Sequence, residues 1–198
     1  MYCLFVARPK AFDKEVALEK AMYAFWKCGY EATSMQDLVD AMGINRQSLY
    51  DTFGDKHELY LETLEHYRCG EGTAFLVALQ EQKPLRQRLE KMFDLIIEEA
   101  VSDKDRKGCF IANATLERAN QDKAVFDSVE ENFKNSVKHF EDVLVAAKAK
   151  GELGAEKSSK ALAVFIVNTI GGLRVTAKAS PDKAMLKSIV KTVLSAFI

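Results

Sequence analysis

The stretch TSMQDLVDAMGINRQSLYDTFGDKHEL, residues 33–59, decides the fold of this chain. Ser34 stands three residues before Asp37, close to the capping-box pattern that begins a helix, and apolar residues follow at helical spacing. Gly43 ends this short helix, and Asn45 is suited to cap the next one. The stretch therefore predicts two short helices joined by a glycine-containing turn, which is the helix-turn-helix arrangement.

The apolar residues of this stretch are spaced to bury together: Leu38, Met42, Ile44, Leu49 and Phe53. The outward, N-terminal part of the second helix then carries Arg46, Gln47, Ser48 and Tyr50. In helix-turn-helix proteins this part enters the major groove of DNA, where Arg and Gln can hydrogen-bond to guanine or adenine edges. Thr33, Tyr50 and Lys56 can reach phosphates on either side, which fixes register without reading sequence.

The rest of the chain is helical by its hydrophobic period, and no segment alternates as a strand does. The predicted helices outside the quoted stretch cover 12–28, 55 to about 75, 85–101, 108–120, 125–150, 158–179 and a final segment to 198. Ser180 and Pro181 are placed as the cap and first residue of the final helix. We therefore predict an all-α fold.

Composition limits the function classes. The chain has 198 residues, 48% of them hydrophobic and 29% charged, with a net charge of −1, which is typical of a globular protein. No apolar run approaches the length of a membrane span, so we expect no membrane partner. The four cysteines lie far apart, which favours a reducing cytoplasm.

Enzyme and metal patterns are weak in this sequence. It contains no glycine-rich phosphate loop and no Gly-x-Ser-x-Gly elbow, so we expect no catalytic residues. Glu62, His66 and Cys69 share a helical face, but a fourth ligand is not visible, so we expect no metal and no cofactor.

Several of these residues agree with one family pattern at fixed spacing. They are Phe25-x3-Gly29-Tyr30, Thr33-Ser34, Leu38-x3-Met42-Gly43-Ile44, Ser48-Leu49-Tyr50-x2-Phe53 and Lys56-x2-Leu59. From about Arg8 to Leu64, the chain resembles the tetracycline-repressor (TetR) family of bacterial transcriptional regulators. The resemblance implies an N-terminal three-helix DNA-binding domain, 8–54, joined by a linking helix to a helical effector-binding and dimerisation domain within 55–198.

The resemblance also implies partners and roles. The partners are double-stranded DNA with a palindromic operator, a second copy of the chain and a small hydrophobic effector that releases a repressor. By position, the expected base contacts are Arg46, Gln47, Ser48 and Thr52, and the expected phosphate contacts are Thr33, Tyr50 and Lys56. In such a family, a ligand in the helical domain shifts the linking helix and so changes the spacing of the two DNA-binding domains in the dimer. Here the linking helix is expected from Asp55 to about Phe75.

The second domain offers two further sets of residues. The expected effector pocket comprises Phe93, Ile97, Cys109, Phe110, Asn113, Phe133, Phe140, Phe165 and Asn168. The expected dimer interface lies on the last two helices and comprises Leu162, Phe165, Ile166, Thr169, Ile170, Leu173, Leu186, Ile189, Val193 and Phe197. Gly171 and Gly172 would let a partner helix approach closely.

Cys109 is a special case, because it follows the cations Arg106 and Lys107 and begins a predicted helix. Both features favour a thiolate that reacts with oxidants or electrophiles. The alternative is a small buried side chain that packs beside Phe110. Cys69 could act as a resolving partner only if the fold brings it close.

One observation disagrees with a DNA-binding role. Residues 1–66 carry 7 Lys and Arg against 11 Asp and Glu, whereas a DNA-binding half is usually basic. We therefore expect a shallow salt dependence of DNA binding. Two alternatives stay open: a helical adaptor whose first domain docks protein, and an enzyme with no recognisable motif.

Overall fold

The computed structural model describes residues 12–70 and 73–195, and this part of the chain forms ten α-helices and no strand, which confirms the all-α class. In chain order they are α1 (Lys14–Cys28), α2 (Met35–Met42), α3 (Arg46–Phe53), α4 (Lys56–Gly70), α5 (Thr73–Gln80), α6 (Leu85–Ser102), α7 (Phe110–Glu117), α8 (Lys123–Ala149), α9 (Ser159–Ala179) and α10 (Lys183–Leu194). The chain divides into two compact units, one ending at His66 and the other beginning at Tyr67.

Local hydrogen bonds explain the two short helices of the first unit. The Ser34 side chain accepts the Asp37 backbone N–H, and the Asp37 carboxylate accepts the Ser34 N–H, so the capping box is complete. Gly43 ends α2 in the left-handed region at φ 70°, which a residue with a Cβ rarely adopts. The Asn45 side chain then accepts the Ser48 N–H at 2.8 Å and caps α3. The predicted helix-turn-helix is therefore confirmed.

The first part of α4 belongs to the first unit, which moves the boundary from the expected position after Gly54. Leu59 and Tyr60 of α4 are completely or almost completely buried. The Tyr60 ring packs edge-on against Phe25 of α1 at 5.0 Å and lies 4.8 Å from Tyr30. Because these rings share one core, the start of α4 packs with α1.

The predicted linking helix can be compared with two described helices. α4 ends at Gly70 and α5 begins at Thr73, so the expected helix from Asp55 to about Phe75 corresponds to parts of two helices. Residues 71–72 lie outside the described part of the chain.

In the second unit, α6 packs against α5, α9 and α10, and α8 packs against α7 and α9. Arg88 of α6 connects α5 to the segment that follows α8. Its guanidinium donates to the Leu79 carbonyl of α5 at 3.0 Å and to the Glu152 carboxylate at 3.1 Å. The prediction that Ser180 caps the last helix is wrong. Asp182 is the cap instead, since its carboxylate accepts the Ala184 and Met185 N–H groups.

Most residues of the predicted dimer interface pack inside a single chain. Ile166, Leu173, Leu186 and Val193 are buried in the core of the second unit. The half-buried members Leu162, Ile170 and Ile189 pack against the same core. The Thr169 hydroxyl donates to the Phe165 carbonyl at 2.8 Å. Phe197 lies outside the described residues.

The apolar faces of α9 and α10 thus pack against α6. The sequence pattern alone could not show whether these faces pack within one chain or against a partner helix. The large apolar side chains that α9 leaves exposed are Val164, Phe165 and Val175. By length and composition alone α9 could cross a membrane, but here it packs against α6 and α8.

Candidate functional sites

The outward face of α3 carries most of the predicted base-contacting side chains. Leu49 and Phe53 are buried on one side of the helix. Arg46, Gln47 and Tyr50 are therefore exposed on the other side. Ser48 and Thr52 are half-buried at the edge of this face. The structure thus brings these residues onto one short helix behind a tight turn, as recognition in the major groove requires.

Two contacts within α3 order this face. The Gln47 side-chain amide donates to the Asp51 carboxylate at 2.8 Å, an i,i+4 pair. The Arg46 guanidinium lies 5.9 Å from the centre of the Tyr50 ring. Asp51 was not among the predicted contacts, although its spacing from Gln47 was visible in the sequence. It holds the Gln47 amide and adds a hydrogen-bond acceptor to the same face.

The predicted phosphate-contacting residues differ in placement. Tyr50 is 41% exposed. Lys56, the first residue of α4, holds its ammonium 4.3 Å from the centre of the Tyr30 ring. Thr33 is only 2% exposed, and its hydroxyl donates to the Gly29 carbonyl at 2.6 Å. Because the Thr33 hydroxyl already has this buried acceptor, its placement argues against the expected phosphate contact.

The capping box also places a charge at the start of α2. The Ser34 hydroxyl and backbone N–H both donate to the Asp37 carboxylate, and this lowers the pKa of Asp37 below its ordinary value. The nearby Lys56 ammonium acts in the same direction. Asp37 therefore stays ionised at neutral pH, and its negative charge stabilises the N-terminus of α2.

The residues considered as metal ligands have other partners. Glu62 pairs with the Lys14 ammonium at 3.0 Å, and His66 lies 3.6 Å from the Glu15 carboxylate. Within the described ranges, no three His, Cys, Asp or Glu side chains are grouped to hold a metal ion.

The second unit contains a cavity of about 930 Å³. Its walls come from the end of α4 and from α5 to α9, and they are mainly apolar. A volume of this size suits a small organic molecule. Of the predicted pocket residues, the cavity wall includes Cys109, Phe133, Phe140 and Asn168.

The other predicted pocket residues lie elsewhere. Phe93, Ile97 and Phe110 are almost fully buried and do not line this cavity. The Asn113 side chain is occupied, because its amide donates to the Lys107 carbonyl at 2.9 Å. Phe165 is exposed away from the wall. These five positions thus differ from the prediction, since hydrophobic period alone does not separate a core side chain from a wall side chain.

Gly171 and Gly172 also line the cavity. They were expected to let a partner helix approach closely, and a Cβ atom at either position would meet no neighbouring atom within 4 Å.

A polar cluster interrupts the apolar wall, and sequence reasoning missed two of its residues, Tyr67 and Arg174. Arg174 of α9 donates to the Tyr67 hydroxyl at 3.0 Å and to the Glu99 carboxylate at 3.3 Å. The Tyr67 hydroxyl in turn lies 3.8 Å from the Cys109 sulfur and donates toward it. Tyr67, Cys109 and Arg174 all line the cavity. We call these three residues the polar wall cluster.

Arg174 remains charged in this setting. Burial lowers the pKa of Arg174, but its neighbours Tyr67, Cys109 and Glu99 together outweigh burial and raise it above the ordinary value. The guanidinium also lies 5.5 Å from the centre of the Phe75 ring. A charge inside the apolar sequence of α9 was the one indication that could have identified this residue from the sequence.

Cys109 stands at the N-cap of α7, one position before the predicted first turn, and its side chain makes no capping hydrogen bond. It is half-buried on the cavity wall. This placement differs from the alternative interpretation, a small buried side chain that packs beside Phe110.

Comparisons with known proteins agree with this architecture. Residues 17–63 match the family described as bacterial regulatory proteins, tetR family, and residues 86–192 match the C-terminal domain of LmrA/YxaF-like transcriptional regulators. The regulator YezE of Bacillus subtilis is 33% identical over 96% of this chain and 98% of its own length. The repressor ComR of Escherichia coli is 30% identical over 94% of this chain and 90% of its own.

A solved structure is also similar along almost the whole chain. It is a cysteine-substituted form of the TetR family regulator CifR in complex with a 26-base-pair operator DNA, 31% identical, with a TM-score of 0.86. The alignment covers 96% of this chain and 100% of that one. Together with the helix-turn-helix of the first unit, these matches show that the chain belongs to the TetR family of bacterial transcriptional regulators.

Proposed function

We propose that this regulator represses transcription as a homodimer on a two-fold operator and leaves the DNA when a small apolar effector fills the cavity of the second unit. The observation that carries the proposal is the exposed face of α3, with Arg46, Gln47 and Tyr50 outward and Leu49 buried behind them. One such helix reads few base pairs, so two copies are needed for a specific site. The protein acts in the cytoplasm, where the bacterial DNA is.

On DNA, Arg46 and the Gln47–Asp51 pair face base edges. Arginine can donate two hydrogen bonds to guanine, and glutamine can pair in the same way with adenine. Ser48 and Thr52 contact the same groove from the edge of α3. Tyr50 and Lys56 contact phosphates, which position the helix without reading sequence.

The dimer forms through the exposed apolar side chains of α8 and α9. The exposed apolar residues of these helices include Val145 on α8 and Phe165 and Val175 on α9. The surface of one copy packs against the same surface of its partner, as two-fold symmetry requires. This replaces the interface expected on α10, since Leu186 and Val193 are buried within one chain.

The effector occupies the cavity and contacts the last turn of α4 through Tyr67. A ligand can release the operator only by binding more tightly to the form of the dimer that does not fit DNA. α4 carries both a predicted DNA contact and a cavity residue, because Lys56 begins the helix and Tyr67 lies near its end.

Selection of binding sites from random DNA tests the proposal. We expect a palindromic motif, and loss of retarded bands in a gel shift with the Tyr50→Phe, Lys56→Ala double variant. A selection that returns no two-fold motif would reject sequence-specific regulation and favour an adaptor that docks protein.

The oligomeric state is tested separately by sedimentation. Phe165→Glu is expected to give monomers without operator binding, because a charge on the interface opposes its burial. Leu116→Glu is the matched control, since Leu116 is 79% exposed on α7. A wild-type chain that sediments as a monomer would contradict the dimer.

A further inference from the structure

We propose that Asp51 is a specificity-determining residue that accepts a hydrogen bond from the 4-amino group of a cytosine, and that its charge disfavours DNA without this base. The inference rests on the proposed function, because it requires α3 to lie in the major groove. It adds the base chemistry of one position in each operator half-site. It is carried by the Gln47–Asp51 pair, which places a carboxylate among the exposed side chains of α3.

The first argument is the position of Asp51 on α3. Leu49 is buried on one side of the helix. The exposed side chains are Arg46, Gln47, Tyr50 and Asp51. Residues four apart share one side of a helix, so Asp51 follows Gln47 by one turn just as Tyr50 follows Arg46. Asp51 therefore belongs to the surface that meets base edges when α3 enters the groove.

The hydrogen bond between the two side chains fixes what each of them offers to DNA. The Gln47 amide nitrogen donates to one Asp51 carboxylate oxygen at 2.8 Å. Turning the amide over would bring its own oxygen against the carboxylate, so the bond holds the amide in one orientation. An ionised carboxylate has two oxygens and only accepts hydrogen bonds, which leaves the second Asp51 oxygen as an acceptor for a base.

The chemistry of the major groove then selects the base. The donors that base pairs present there are the amino groups of cytosine and adenine, whereas guanine and thymine present acceptors. The adenine amino group lies between two acceptors, its own N7 and O4 of the paired thymine. The cytosine amino group has an acceptor on one side only, O6 of the paired guanine. Because neighbouring acceptors repel a carboxylate, cytosine is the base that suits Asp51.

The charge of Asp51 adds selection against other DNA. Within the described part of the chain, no lysine or arginine pairs with the Asp51 carboxylate. The first unit offers little general attraction for phosphates, since residues 1–66 carry 7 Lys and Arg against 11 Asp and Glu. On DNA without the cytosine, the carboxylate loses its hydration and gains no partner. A cytosine amino group offsets this cost.

The first unit contains a second pair of the same kind, which serves as an internal control. The Gln36 amide nitrogen of α2 donates to the Asp40 carboxylate at 2.9 Å, and both residues are exposed. This pair has the same spacing, hydrogen bond and charge, but it does not lie on α3. Removal of the Asp40 carboxylate therefore makes an equal change without altering the exposed face of α3.

Parallel selections from a random-sequence DNA library test the inference with the full chain. Wild type should select a cytosine at a fixed position of each half-site, and replacing its G·C pair in the selected duplex should weaken binding about tenfold or more. Asp51→Ala should bind the duplexes with each of the four base pairs about equally. Asp40→Ala should keep the wild-type preference. Fluorescence anisotropy measures the affinities, and fluorescence of the buried Trp26 shows that both variants are folded.

Asp51→Asn separates direct reading of a base from an effect through Gln47. Asparagine can still accept the Gln47 amide, so a role limited to orienting Gln47 would leave the base preference unchanged. Because asparagine pairs with adenine through one donor and one acceptor, the preference should change from cytosine to adenine. Affinity for scrambled DNA should rise, since a negative charge no longer opposes the phosphates. Selection of cytosine by Asp51→Asn, or an unchanged preference in Asp51→Ala, would overturn the inference.

The two proposals fail differently in this design. A chain that selects no two-fold motif rejects the proposed function and this inference with it. A chain that selects a two-fold motif whose base preferences do not depend on Asp51 rejects only this inference.

Discussion

The two units use polar side chains in opposite ways. In the first unit, α3 turns Leu49 into the core and leaves Arg46 and Gln47 in water. In the second unit, Arg174 is held among apolar walls with Tyr67 and Glu99 as partners. An exposed donor competes with water for its target, whereas an enclosed donor acts in a low-dielectric setting. The first unit is thus built to recognise an extended, hydrated surface and the second to enclose a small molecule.

The largest expected loss of stability follows from removing a buried aromatic ring from either core. Phe25→Ala should lower the free energy of unfolding of the first unit by about 3–5 kcal/mol, because Phe25 is 1% exposed and the cavity left behind is not refilled. Trp26, the only tryptophan, is buried in α1, so its fluorescence reports on this unit. Urea denaturation followed by this fluorescence measures the change.

The matched variant in the second unit is Phe93→Ala, which also removes a buried ring. It should lower the free energy of unfolding of the second unit by a similar amount, measured from the unfolding transition followed by helical circular dichroism. If Phe25→Ala left the fluorescence midpoint unchanged, the expected contribution of Phe25 to the first core would be refuted.

The next effect separates base reading from phosphate contact. Arg46→Ala should weaken operator binding by about 1–3 kcal/mol and relax preference at one position in each half-site. Lys56→Ala should weaken binding to all sequences about equally. Anisotropy titrations on the operator and on scrambled DNA measure both. Lys123→Ala on α8 is a control for loss of charge, and a uniform loss in Arg46→Ala would show that Arg46 does not read a base.

The sequence was informative about the first unit because its determinants are local. A capping box, a left-handed glycine and an asparagine cap lie within a few residues of one another, so spacing alone predicts α2 and α3. Thr33 shows the limit of this approach. Its position matched a phosphate contact, but a carbonyl four residues earlier accepts its hydroxyl.

The cavity could not be predicted in the same way. Its wall combines residues as distant as Tyr67 and Arg174, and their proximity depends on how α4 and α9 pack. Phe93 and Phe140 follow the same helical period, yet Phe140 is on the wall and Phe93 is not. Helical period identifies the buried side of a helix and does not show where packing leaves a void.

A smaller loss of stability is expected when the N-cap of α3 is removed. Asn45→Ala should cost about 0.5–2 kcal/mol of stability in the first unit, because the Ser48 N–H loses its acceptor. Gln36→Ala is the control, since it removes only an exposed side-chain pair with Asp40. Urea denaturation followed by Trp26 fluorescence should place the control near wild type. Equal losses in both variants would mean that the cap does not stabilise α3.

A cavity wall should tolerate truncation better than a core. Phe133 is 46% exposed on the wall, so Phe133→Ala should cost less than about 1 kcal/mol of unfolding free energy. The same substitution at Phe93 is expected to cost several times more. Thermal unfolding of the two variants compares them directly. A loss at Phe133 as large as that at Phe93 would indicate that the void closes in solution.

The smallest effect concerns pH and the start of α2. Hydrogen bonds from Ser34 lower the pKa of Asp37 below its ordinary value of 3.8. A carboxyl group whose pKa is lower in the folded than in the unfolded chain stabilises the fold above 3.8, and this contribution is lost as pH falls through the folded-state pKa. In Ser34→Ala the pKa of Asp37 should rise toward 3.8, as carboxyl NMR titration would measure. The stability gap between wild type and Ser34→Ala should therefore narrow in acid, and Asp37→Asn should show a flatter acid limb than wild type. An Asp37 titration that does not respond to Ser34→Ala would assign the lowered pKa to the backbone N–H of residue 34 and the neighbouring Lys56 instead.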